Sequence, residues 1–303
     1  MNSNIKRNPS WYYSKNNLIG YSFIASYILL TFLSLYFIVE TQSWIIRILF
    51  ILLLWFLQAW YNQWKHEFLH NTVINNSCMN TLFWYYFSLA IGVNPHLNKD
   101  FHLWHHKYIG TTNDPELDFD VRKDYQLHTV LLRKLYRPFL FDIFYANFSI
   151  LLLKRYPKYA KDFSSIRKDS FLLFSFHILL ITFSVFFLSW EYILYWYVIL
   201  EYVGFNILCI YDIAEHRWCK THIPNKSSRT CYSNPFIWYM TWFNNFHSVH
   251  HLDTPEQCVA FSKRRQYFLD KELHPVSIHE TWYFSFIIDM YKNPKNYTND
   301  YSS

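Results

Sequence analysis

Apolar residues in this chain come in long blocks separated by polar, basic stretches, and the block lengths predict membrane-spanning helices. Leu18–Val39 runs without a charge, and Trp44–Tyr61 is nearly as apolar but contains Arg47. Two further blocks follow, Phe171–Trp190 and Tyr192–Ile213, the last with Glu201 and Asp212. About 20 helical residues cross a hydrocarbon core roughly 30 Å thick, so each block can span. The connections Glu40-Thr41-Gln42-Ser43 and Trp190-Glu191 fold the four spans into two hairpins. Thr81–Val93 and Phe139–Leu153 fall below spanning length, and the second carries Asp142; they read as helices in the interface or under a cap. There is no internal repeat, and the polar segment Tyr291–Ser303 reads as a frayed tail.

Charge sets the direction. Neither short connection contains Lys or Arg, whereas Lys6, Arg7 and Lys15 precede the first span. Lys154, Arg155, Lys158, Lys161, Arg167 and Lys168 precede the third. Such an excess marks the cytoplasmic side. Both termini and the polar segments 62–170 and 214–290 are therefore expected in the cytosol, where those segments form a helical cap. Arg47 lies within a turn of the outer surface, where its stem can snorkel outwards. The net charge of +6 is then explained by orientation and anionic lipid rather than by nucleic acid. Aromatic residues make up 22% and apolar residues 52%, yet mean hydropathy is close to zero. That combination describes a membrane enzyme with a large aqueous part. Five cysteines without CxxC pairing are too sparse for a disulfide framework and argue against a Cys-ligated zinc or iron–sulfur site. The first apolar block exceeds a signal-peptide core and no small-residue cleavage site follows it, so it is expected to be a span.

The chemistry lies in the histidines. His66-Glu67-Phe68-Leu69-His70, His102-Leu103-Trp104-His105-His106 and His247-Ser248-Val249-His250-His251 have helical ligand spacing, and His216 follows Asp212 by four residues. Residues three and four apart share a helix face, so each group is expected to aim its rings in one direction. Imidazole suits iron, copper, nickel and zinc, and these rings are too many for one ion. The chain reads as a two-metal enzyme. The second and fourth spans are expected to continue as helices into His66–His70 and His216, with His102–His106 in the loop after the first hairpin and His247–His251 in the cap. Glu67 and Glu215 each adjoin a ring and are candidates for accepting its second N–H. His177, His96, His128, His222, His274 and His279 read as ordinary satisfied histidines. Asp114, Glu116, Asp118 and Asp120 alternate like calcium ligands, but no glycine follows at the required place, so a solvated loop is expected.

Two other classes compete with this reading. His66–His70 matches HExxH, the signature of zinc proteases, with Glu67 as general base; such an enzyme needs only one further ligand and has no use for two HxxHH boxes. A metal-storage or transport protein predicts histidines inside the spans, where only His177 lies.

The HxxxH, HxxHH and HxxHH series, with four spans in two hairpins, resembles the integral-membrane fatty acid desaturase and hydroxylase superfamily of acyl desaturases, alkane hydroxylases and carotenoid ketolases. The resemblance covers roughly Trp60 to Pro255 and includes Asn113–Asp118 after the second box and Asn244-Asn245-Phe246 before the third. It implies an all-α integral-membrane fold, one domain over residues 1–303, with a cytosolic cap holding two irons. It implies metal-ligand roles for His66, His70, His102, His105, His106, His216, His247, His250 and His251. Where acyl desaturases have a water-holding asparagine, this chain has Asp212, a candidate for direct ligation or for holding a water. The implied activity is O2-dependent desaturation of a lipid acyl chain, with hydroxylation or ketolation as the alternative. With no haem module, GxGxxG or rubredoxin-like cysteines in the sequence, electrons are expected from a separate ferredoxin, rubredoxin or cytochrome carrier. Lys263, Arg264 and Arg265 are a candidate docking patch for it, or a lipid contact.

Overall fold

The first two apolar blocks form an antiparallel helical hairpin, α1 (Asn17–Glu40) and α2 (Trp44–Leu69), tied along its length by aromatic rings. Phe37 stacks on Phe50 at 4.6 Å, and Tyr27 meets Trp60 at 4.6 Å and Trp64 at 5.7 Å between centroids. At the turn the Arg47 guanidinium donates to the Thr41 carbonyl at 2.8 Å, so its charge does reach the connection. These helices belong to a computed structural model that describes residues 17–71, 73–109, 111, 113–114 and 161–199, with short pieces at 215–216, 227–228, 230–231, 247–252, 278–279, 288–289 and 292–293.

As the sequence suggests, α2 continues past Tyr61 without a break through His66. It stops at His70 because Asn71 adopts the left-handed conformation, φ 59°, which asparagine tolerates better than most residues. The Phe68 carbonyl then accepts the Asn71 N–H at 3.0 Å and the buried Asn80 amide at 2.8 Å. Asn80 lies on α3 (Ser77–Ala90), whose cap Asn76 accepts the Met79 N–H. Gly20 lets α1 approach the chain just beyond this end: a Cβ there would lie 2.7 Å from Ile74 Cγ2 and 3.2 Å from the Val73 carbonyl.

The next helix, α4 (Pro95–Tyr108), has Pro95 in its first turn and Asn94 accepting the Leu97 N–H, a strong start signal. It carries the second histidine box, which was expected on a loop. The third span, α5 (Phe163–Phe187), starts eight residues before the expected Phe171 because Asp162 caps it, accepting from the Ser164 and Ser165 N–H groups. It ends at Leu188, so the turn falls at 188–189 rather than at Trp190-Glu191. Then α6 (Trp190–Ile199) begins the fourth block, whose remaining residues to Ile213 lie outside those described. So do the stretch Phe139–Leu153 and the triplet Lys263–Arg265. The short helix α7 (His247–Leu252) carries the third box. The fold is not purely helical: β1 (Thr230–Cys231) pairs in parallel with β2 (Ile278–His279).

Among the described residues, α1, α2 and α5 are long and apolar enough to cross a membrane. Leu29, Phe32, Leu49, Leu179 and Phe186 are exposed on them, an apolar surface suited to lipid. Inside, Tyr27, Tyr61, Trp64, Phe68, Phe87 and Tyr197 are fully buried, and the Tyr61 and Tyr86 hydroxyls meet at 3.1 Å. His177 is buried as expected, with Nδ1 2.5 Å from the Tyr197 hydroxyl, although its Nε2 has no hydrogen-bond partner.

Candidate metal centre

At the C-terminal end of α2, four separate parts of the chain bring nine imidazoles together. His66, His70, His102, His106 and His250 form one group, and His105, His216, His247 and His251 a second. Within each group the candidate ligand atoms all lie within 4.8 Å of one another. The expectation that each HxxHH box faces one way is corrected. On α4 the i, i+4 pair His102 and His106 joins the first group, while His105 joins the second. On α7 the i, i+4 pair His247 and His251 joins the second group, while His250 joins the first. Adjacent helical residues point about 100° apart, so one short helix can serve two centres. The rings of His105 and His106 are 5.8 Å apart, and those of His250 and His251 5.6 Å. The two boxes exchange their middle histidines.

The nitrogens facing inwards are Nε2. His70 and His102 approach to 2.9 Å, His102 and His106 to 2.8 Å, His106 and His250 to 3.0 Å. In the second group His216 and His247 approach to 2.7 Å, and His247 and His251 to 2.9 Å. Four outward-facing Nδ1 atoms meet acceptors, while those of His106 and His251 are buried without one. His105 Nδ1 lies 2.8 Å from Asp114, His66 Nδ1 3.0 Å from Glu67, His247 Nδ1 3.3 Å from Glu215 and His216 Nδ1 3.2 Å from the Ser227 carbonyl. A carbonyl or carboxylate oxygen can only accept, so in these rings the proton belongs on Nδ1 and Nε2 offers a lone pair. His216 and His247 then turn two lone pairs toward each other across 2.7 Å, an arrangement that a shared cation reconciles. His66 Nε2 is buried with no hydrogen-bond partner at all. The donor set therefore fits transition-metal ions, and outer-shell acceptors that fix the tautomer are the usual companions of such ligands.

Burial, reinforced by the other rings of the cluster, holds His102, His106, His247, His250 and His251 well below the usual imidazole range. His70 is lowered in the same way, chiefly by burial, then by His66 and Lys99. Neutral rings are the form a metal binds.

Glu67 lies against the ring it adjoins, His66, whereas Glu215 faces His247 rather than its neighbour His216. Asp114 departs from expectation: it is buried at 1% exposure against His105, not part of a solvated loop. The useful signal was its place eight residues after the second box, not the acidic alternation. Glu116, Asp118, Asp120 and Asp212 lie outside the described residues, as do His128, His222 and His274. The Ser227 carbonyl has no sequence signature. His96 and His177 stay apart from both groups; His96 instead engages Asp169. Asp114→Ala leaves the His105 N–H buried without its acceptor, and is expected to weaken metal retention by about 10- to 100-fold. Metal titration against a competing chelator checks this.

The family model described as fatty acid desaturase matches residues 42–270. The chain belongs to the fatty acid desaturase family. The match spans all nine rings and their three carboxylates, and makes this family member an oxidoreductase of membrane-bound type acting on fatty acids. No curated protein matches the chain closely enough to add a relative. Desaturases of this family are generally di-iron proteins, which agrees with two histidine groups that could each hold an ion.

Proposed function

We infer that the protein is a di-iron oxidoreductase that uses O2 and electrons from a separate carrier to introduce a double bond into a lipid acyl chain. The observation that carries this reading is the division of nine imidazoles into adjoining groups of five and four, with the Nδ1 atoms of His66, His105, His216 and His247 turned outwards to acceptors. The nine histidines are the ligands on this reading. Bound iron supplies the O2 activation and hydrogen abstraction that no side chain here can perform. Glu67, Asp114 and Glu215 orient the rings they touch. On this reading the spans and their aromatic residues would enclose the apolar chain, with burial contributing about 0.8 kcal/mol per methylene. Four spans, with both termini and the centre in the cytosol, remain the arrangement that the charge distribution supports.

The zinc-protease reading loses its support, because the Glu67 carboxylate is turned to His66 Nδ1, the position of an orienting group. Desaturation is separated from hydroxylation by incubating reduced enzyme with lipid extract under isotopically labelled O2. The expected product is two hydrogens lighter and unlabelled. Label in the product would make the enzyme a hydroxylase or ketolase.

A further inference from the structure

We propose that Asp169 is a positioning residue for the metal centre, holding the first turn of α4 against α5 and so fixing where His102, His105 and His106 present their rings. This rests on the metal-centre reading above and extends it to a residue outside the histidine boxes. Asp169 is 1% exposed on α5, within the basic foot of an otherwise apolar helix. A carboxylate in such a place is costly unless well paired, and here its hydrogen bonds run to the histidine-bearing helix and to that helix's neighbour. Oδ2 accepts the His96 backbone N–H at 2.8 Å and lies 2.7 Å from His96 Nδ1, while Oδ1 accepts the Tyr85 hydroxyl at 3.0 Å. One carboxylate thus joins α3, α4 and α5. The same turn of α5 holds the α4 cap: Asn94 Nδ2 donates to the Ile166 carbonyl at 2.9 Å and to Ser170 Oγ at 3.0 Å.

The charge also suits its position, since a carboxylate at a helix N-terminus complements the unsatisfied N–H groups there. His102 lies six residues further along α4, a rise of about 9 Å, so Asp169 acts through the helix and not as a ligand. Because α4 contributes rings to both histidine groups, a slide or rotation of its first turn alters the relation between the groups. A simple staple would need no charge: apolar replacements of buried ion pairs are often equally stable.

The test uses the full chain in lipid nanodiscs, loaded with isotopically enriched iron. Iron per chain, thermal midpoint, Mössbauer spectrum and turnover are compared for wild type, Asp169→Asn, Asp169→Glu, His96→Gln and the double variant Asp169→Asn with His96→Gln. We expect Asp169→Asn to retain two irons, to shift the Mössbauer spectrum and to lower turnover about tenfold. Asp169→Glu should recover part of both, and the double variant should be no worse than Asp169→Asn alone, because the contact that His96→Gln removes is one that Asp169→Asn already weakens. If Asp169→Asn does not fold, His96→Gln carries the same expectation with the carboxylate intact. A lowered midpoint with spectrum and turnover per iron unchanged would make Asp169 a structural staple and overturn the proposal. Wild-type protein that binds no iron would instead overturn the metal-centre reading, and the proposal with it.

Discussion

Replacing His247 by alanine is expected to lower the bound metal below two ions per chain and to reduce turnover by at least about 100-fold. Loss of an outer acceptor alone costs 10- to 100-fold, and His247 stands one step closer, with its Nε2 2.7 Å from that of His216 and 2.9 Å from that of His251. Its removal also takes from Glu215 the ring that its carboxylate faces at 3.3 Å. His177→Ala supplies the contrast. That ring is buried against Tyr197 and is far from either group in the contacts it makes, so the variant should keep both ions. Elemental analysis beside circular dichroism decides the matter. Two ions and full turnover in His247→Ala would remove His247 from the centre.

The metal-free protein is expected to lose stability steeply as pH falls from about 6.5 to 5, the range where an unperturbed histidine gains its proton. Six rings, those of His70, His102, His106, His247, His250 and His251, have their pKa lowered by burial in the folded state. Above 6.5 they are neutral whether the chain is folded or not, and they contribute no pH dependence. Below it the unfolded chain takes up protons that the folded one refuses, so unfolding gains about 1.4 kcal/mol per pH unit for each ring concerned. Bound metal adds a competitor for the same lone pairs and moves the transition to lower pH. Thermal midpoints of stripped and loaded protein across this range check both statements. A flat profile for the stripped protein would mean that the rings are not held neutral.

Much of this centre is legible in the sequence because ligand spacing is a local property. The histidines at 66 and 70 and the boxes at 102–106 and 247–251 stand out from helical spacing, as does the run of α2 beyond Tyr61. His216 stands alone, marked only by Asp212 four residues earlier, its place at a span's end and the family resemblance. The division of each HxxHH box between two groups depends on how α4 and α7 are turned toward one another, and a spacing rule that treats i+3 and i+4 as one face cannot see it. Asp114 was hidden by neighbouring acids that resemble a hydrated loop, although burial against His105 is its actual setting. The start of α5 was missed because Arg167, Lys168 and Asp169 interrupt the apolar run, whereas its true signal is the cap at Asp162. There the polar residues belong to the helix: Arg167 and Lys168 face outwards and Asp169 faces α4.

The uninterrupted course of α2 has a mechanical consequence. Its 26 residues make a rod about 39 Å long, which overshoots a hydrocarbon slab of roughly 30 Å by about 9 Å. With the slab beginning at Trp44, the overhang would be the segment that bears His66, with no joint between it and the rest of the helix. Bilayers of different thickness tilt such rods by different amounts, so acyl composition would be felt at the histidine-bearing end as leverage. An enzyme that alters acyl chains would thereby sit in mechanical contact with the bulk property its own product changes.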